Sequence, residues 1–129
     1  MSSLRERFLE RFTTLGVRFS VDPDGAVRVP ARHASVGALI ASFENDEISV
    51  FIGEITHCHF TPGACGDIDS TDPVGECVAE ATRYLREVFA DRYIFWSAAH
   101  VGGSYHIDHP VDTPPARAQR FLWSGPITA

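Results

Sequence analysis

The chain has 129 residues, 44% of them hydrophobic and 22% charged, and carries a formal net charge of -6. That composition fits a globular chain long enough to bury one core without disulfides or a structural metal. It argues against a nucleic-acid binder that works through a basic face, and against attraction to an anionic membrane surface.

All 11 basic residues are arginine. No apolar run approaches the ~18 residues that span a bilayer. The opening "MSSLRERFLERF" mixes charge with apolar residues and has no signal-peptide core. These features predict a cytoplasmic protein whose three cysteines, Cys58, Cys65 and Cys77, are reduced thiols. Their spacings contain no C-x-x-C pair, which argues against a zinc ribbon or a thioredoxin-type redox site.

In chain order, residues 3–15 predict a helix. Ser3 and Glu6 form an S-x-x-E capping box, Gly16 stands at the stop, and Leu4, Phe8, Phe12 and Leu15 share one face. Strands are predicted at 17–21 and 26–29 around the turn Asp22-Pro23-Asp24-Gly25. Residues 35–60 read as one long hairpin turning at Asn45-Asp46. With Phe43 opposite Ile48, one face holds Leu39, Ala41, Phe43, Ile48, Val50 and Ile52, and the second arm runs on to Phe60.

The segment 61–73 is loop-like, and a helix is predicted over 73–90. Asp72-Pro73 makes its cap, while Val74, Cys77, Val78, Ala81, Leu85 and Val88 form the inward stripe. A strand follows at 92–99, with a reversal at Gly102-Gly103 into "SYHI". After the proline-rich "DHPVDTPPA", residues 118–124 read either as a last strand or as a helical turn. The order α-β-β-β-β-α-β-β, with or without that last strand, predicts a single α+β domain over 1–129. Its largely antiparallel sheet would have about six strands and carry two helices on one face.

Four groups carry possible chemistry. His57 and His59 are two apart in a strand, so both imidazoles project to one face and offer two nitrogens to a metal such as zinc. A third ligand would come from Cys65, Asp67, Asp69 or Asp72, or from His100, His106 or His109; otherwise the pair is simply a polar strand end. "DIDSTD" lacks the glycine and the glutamate of an EF-hand, and Asp72 already serves as a helix cap. Cys58 opposes both histidines and forms no Cys–His couple with them, Cys77 belongs to the buried stripe, and Cys65 sits in a Gly-containing loop. Glu54, read as lying in an apolar strand on the face of Ile52, is the candidate general base. There is no G-x-G-x-x-G, P-loop or G-x-S-x-G.

The run "ISVFIGEITHCHF", a helix ending "RYLREVFADRYIFW", the "GG" and a late "FLWSG" resemble a loose family of small uncharacterised bacterial α+β proteins. Members share a strand ending H-x-H-F, a helix, a strand and a closing tryptophan, and some look like immunity proteins of bacterial toxin systems. The resemblance spans about residues 47–124 and implies binding in place of catalysis, with no catalytic residue carried over. The resulting expectation is a protein-binding module, immunity-like, for a basic protein partner, with Phe60, Tyr105 and Trp123 as aromatic anchors. The alternatives are a metal-dependent enzyme or metal-binding protein built on His57 and His59, and a small-molecule-binding module.

Overall fold

The computed structural model describes residues 3–64, 71–110 and 114–127. Among them the chain forms two helices, α1 (Leu4–Phe12) and α2 (Pro73–Phe89), and nine strands. The first five strands are β1 (Ser20–Val21), β2 (Val27–Val29), β3 (Leu39–Ser42), β4 (Ile48–Ile52) and β5 (Thr56–Phe60). After α2 come β6 (Tyr93–Ala98), β7 (Val101–His106), β8 (Gln119–Leu122) and β9 (Gly125–Pro126). The class is α+β with antiparallel pairing, as the sequence predicts. The strands form two sheets, however, in place of the expected single sheet: β1-β2-β3-β4-β5 and β7-β6-β8-β9. No helix among the described residues is long and apolar enough to cross a membrane.

The helices begin and end where local chemistry requires. The Ser3 hydroxyl accepts the Glu6 N–H at 3.1 Å, and the chain leaves α1 through a 3₁₀ turn that stops at Gly16, where φ is 69°. At the start of α2 the Asp72 carboxylate accepts the Gly75 N–H at 3.2 Å and holds Arg7 of α1 in a bidentate pair at 2.8 and 2.7 Å. A Cβ at position 75 would collide with both partners, so Gly75 makes room for this link between the helices.

One contiguous buried cluster joins both helices to both sheets. Phe8, Phe12, Cys77, Ala81, Leu85 and Val88 supply its helical side, and Leu39, Ala41, Ile48, Val50, Ile52 and Phe95 its sheet side. A line of rings threads it. Phe43 meets Phe8 at 5.2 Å, Phe8 meets Phe12 at 5.4 Å, Phe12 meets Phe89 at 6.3 Å and Phe89 meets Trp123 at 5.6 Å.

The β3–β4 register pairs Leu39 with Ile52 and Ser42 with Ser49, which continues the predicted match of Phe43 with Ile48. Its turn has Asn45 at φ 57° and Asp46 at φ 56°, the two left-handed residues of a type I′ hairpin.

Two expectations are corrected and one open reading is decided. The second arm of the hairpin does not run on to Phe60: it turns back at Gly53-Glu54-Ile55, creating β5 as a separate strand beside β4. Gly53 has φ 50°, and its Cα faces the Val36 carbonyl so closely that no Cβ fits. The reversal expected at Gly102-Gly103 lies instead at Ala99-His100, with Ala99 at φ 53°. The two glycines stay inside β7 because one backs onto the Ile55 carbonyl and the other lies under the Trp96 indole, 2.7 Å from an added Cβ. Gly102 therefore brings the β7 edge of the second sheet against the end of the β4–β5 turn in the first. Finally, residues 119–126 form strands β8 and β9 around a turn at Trp123-Ser124.

Two outcomes follow. Gly53→Ala should lower unfolding free energy by at least about 2 kcal/mol, since left-handed strain is joined by a collision. Gly63→Ala should cost about 1 kcal/mol, from strain alone, because its φ of 89° faces open space. Equal urea midpoints for the two variants would contradict the close approach at Val36. Arg7, chiefly by its side-chain hydrogen bond, lowers the Asp72 carboxyl from 3.8 to about 2. A depressed folded-state pKa gives stability that is whole above the unfolded value and is lost as pH falls through the folded one. The drop in melting temperature between about pH 4 and pH 2 should therefore be shallower in Asp72→Asn, which keeps a capping side chain.

Candidate functional site

Alternation along β5 creates two unlike environments. The ladder pairs Ser49 with His59, Val50 with Cys58 and Phe51 with His57. His57 and His59 thus share the outer face with exposed Phe51 and with Ser49, which is itself buried beneath them, and Cys58 turns inward.

On the outer face the His57 and His59 rings lie 5.2 Å apart at 74°, and Phe51 stacks on His57 at 5.6 Å. His59 Nδ1 lies 2.8 Å from Ser49 Oγ and 3.1 Å from Glu47 Oε1. Ser49 also donates to Glu47 at 3.3 Å, and Thr61 donates to its other oxygen at 3.4 Å. These are the residue types of a Ser–His–acid triad, but serine and carboxylate meet the same ring nitrogen. A relay needs them on opposite nitrogens, so this cluster cannot activate Ser49.

On the inner face a second line of rings borders a cleft of about 550 Å³ between α2, β5, β6 and β7. Phe60 meets Tyr84 at 5.6 Å, Tyr84 meets Tyr93 at 4.7 Å, Tyr93 meets His106 at 5.2 Å and His106 meets His109 at 5.5 Å. Charged pairs edge the same cleft: Glu80 with Arg83 at 2.5 Å, and Arg92 with Glu87 at 3.3 Å and with Asp108. The Asp108 N–H donates to His106 Nδ1 at 3.1 Å, which places the neutral ring's proton on Nε2, 3.6 Å from Glu87. His106 therefore has no free lone pair with which to take a proton from a substrate.

Behind the rings, the Tyr84 hydroxyl faces Cys58 and Ser104. Burial pushes the Cys58 thiol up to about 11, against the smaller opposing pull of the Tyr84 hydrogen bond. Burial likewise raises Tyr84 and Tyr93. Cys58 is held as a thiol, the unreactive form.

The remaining sequence candidates are dispersed. Glu54 is exposed in the β4–β5 turn, not on the face of Ile52, so the buried environment expected of a general base is missing. His100 is exposed in the β6–β7 turn. Phe60 does reach the cleft, and Tyr105 is half-buried opposite Ile94 on β7. Trp123, expected as a surface anchor, is only 4% exposed and belongs to the core against Phe89. Cys65, Asp67 and Asp69 lie outside the described residues. Among the described residues no three His, Cys, Asp or Glu side chains gather to hold a metal.

The cleft itself went unread in the sequence. Its signal is present: Glu80, Arg83, Tyr84 and Glu87 fall at i, i+3, i+4 and i+7, a polar helical stripe with a tyrosine in its middle. Comparison with protein-family models, curated proteins and solved structures finds no match to the chain.

At pH 8 a thiol with a pKa near 11 is thiolate in about one molecule per thousand. In a Cys65→Ser variant, Ellman's reagent should accordingly release far less than one equivalent from the native protein and about two after guanidinium unfolding. A fast native equivalent would contradict the placement of Cys58 and Cys77.

Proposed function

We propose that the chain is a protein-binding module of the immunity type, which receives a basic protein partner in the cleft between α2, β5, β6 and β7. The observation that carries this reading is the coincidence of an aromatic wall with an excess of carboxylates. Phe60, Tyr84 and Tyr93 offer large, conformationally stiff surfaces, which contribute strongly to protein interfaces. Glu80, Glu87 and Asp108 outnumber Arg83 and Arg92 at the edge, so an arginine or lysine of a partner meets both negative charge and ring faces. The net charge of -6 acts in the same direction at longer range and speeds encounter. A protonated Cys58 and a tautomer-locked His106 provide no nucleophile or base, which supports recognition over chemistry here.

The cleft volume of about 550 Å³ also falls within the range of small-molecule sites, and that supports the alternative of a low-molecular-weight ligand. Fractionated native extract separates the two, since a ligand bound only by the folded state raises the melting temperature. The protein fraction should stabilise the chain, and the low-molecular-weight fraction should not.

Charge reversal tests the proposal directly. Glu80→Arg should cut capture of a basic protein at least tenfold at about 0.15 M salt, and Glu44→Arg, on the distant β3–β4 turn, should leave it unchanged. Equal capture by both variants, or no protein partner at all, would remove the reading.

A further inference from the structure

The outer face of β5 carries an arrangement that the cleft does not use. We propose that His57 and His59 chelate a late first-row divalent metal ion, with Glu47 as the residue that orients His59.

The inference rests on three observations. First, the ring centres lie 5.2 Å apart on one exposed face. Two imidazoles bound to one tetrahedral ion, at about 2.0–2.1 Å from each nitrogen, have their centres about 5 Å apart. The spacing of the two rings thus matches that of a bis-imidazole chelate.

Second, Ser49 Oγ lies 2.8 Å from His59 Nδ1 and gives its own proton to Glu47 at 3.3 Å, so the Nδ1 proton is directed at Ser49, with Glu47 Oε1 3.1 Å from the same nitrogen, and the Nε2 lone pair is left for a ligand. A carboxylate hydrogen-bonded to the far nitrogen of a ligating histidine is the usual device by which proteins fix ring and tautomer at a metal. Here the carboxylate is itself held, by Ser49 at 3.3 Å and Thr61 at 3.4 Å.

Third, Phe51 stacks on His57 at 5.6 Å, which restrains the second ring without taking either of its nitrogens.

Two protein nitrogens leave the remaining coordination positions to water. That donor set selects by ligand type: imidazole suits copper and zinc, with Cu²⁺ bound more tightly than Zn²⁺, whereas Mg²⁺ and Ca²⁺ prefer oxygen ligands.

The test is titration of protein purified without an affinity tag with Cu²⁺, Zn²⁺ and Mg²⁺ alone, by calorimetry and by NMR. One equivalent of Cu²⁺ or Zn²⁺ should bind, Cu²⁺ the tighter, and Mg²⁺ should not. His57→Ala and His59→Ala should each weaken binding at least about 100-fold, since a chelate becomes a single ligand. Glu47→Gln should weaken it about 10- to 100-fold at unchanged stoichiometry. Glu54→Gln, in the neighbouring turn, should leave it unchanged. In the wild type, substoichiometric Cu²⁺ should broaden the ring signals of His57 and His59 before those of His33, His100, His106 and His109, a readout that needs no variant to fold. The proposal is overturned if affinity survives in the His57→Ala/His59→Ala double variant, if another histidine broadens first, or if Glu47→Gln is silent.

Discussion

Phe12 is the contact on which the rest of the fold depends. Its ring lies 5.4 Å from Phe8, 5.2 Å from Phe19 and 6.3 Å from Phe89. It therefore joins α1 to the approach of β1 and to the end of α2, and through Phe89 it reaches Trp123 beside the last strands. Aromatic contacts of this kind add area burial to a geometric preference, so a single ring fixes the relative placement of several elements. The Arg7–Asp72 pair works alongside it at the surface, where its electrostatic contribution is modest and its value is alignment.

Once α2 is docked, its two flanks have opposite characters. The line Phe43–Phe8–Phe12–Phe89–Trp123 runs through the core, with Phe8, Phe12 and Trp123 buried and Phe43 and Phe89 packed against them. The line Phe60–Tyr84–Tyr93–His106–His109 opens onto a cleft edged by ion pairs. The chemical difference is small, mainly hydroxyls and imidazoles in place of plain phenyl rings. It is enough to turn a packing seam into a wettable surface with hydrogen-bonding capacity, because a buried polar ring needs partners and a half-buried one can offer them elsewhere. Tyr84 stands at the boundary: its ring belongs to the cleft wall and its hydroxyl turns inside toward Cys58 and Ser104.

Local chemistry made much of this legible. Capping residues placed both helices, the apolar stripe of α2 named its buried face, and alternation placed Cys58 opposite His57 and His59. The β3–β4 register followed from matching apolar faces and a turn that tolerates left-handed residues. What escaped was decided by backbone proximity between segments distant in sequence. Gly53 looked like an interior position of one long arm because the Val36 carbonyl that crowds it is invisible in the sequence. Gly102-Gly103 looked like a turn because nothing local announces that Ile55 and Trp96 will lie over them, and alanine at φ 53° is a poor advertisement for the true turn at Ala99. The spacing that breaks after Ile52, where Ile55 falls out of phase with Ile48 and Val50, was the available hint of the β4–β5 reversal. The cleft escaped for the same reason, since α2, β6 and β7 meet there only after folding.

The tight reversal at Gly53-Glu54-Ile55 also sets how this protein can evolve. A strand has a period of two, so one residue inserted into or deleted from that turn would exchange the faces of β5. Both imidazoles would be driven toward the core and Cys58 and Phe60 out of it, so the outer cluster and the cleft wall would be lost in one event. Point substitutions can adjust either surface independently, but length changes at this turn act on both together. Diversity in loop length should therefore accumulate elsewhere along the chain, and lineages that keep either surface should keep the length of this turn.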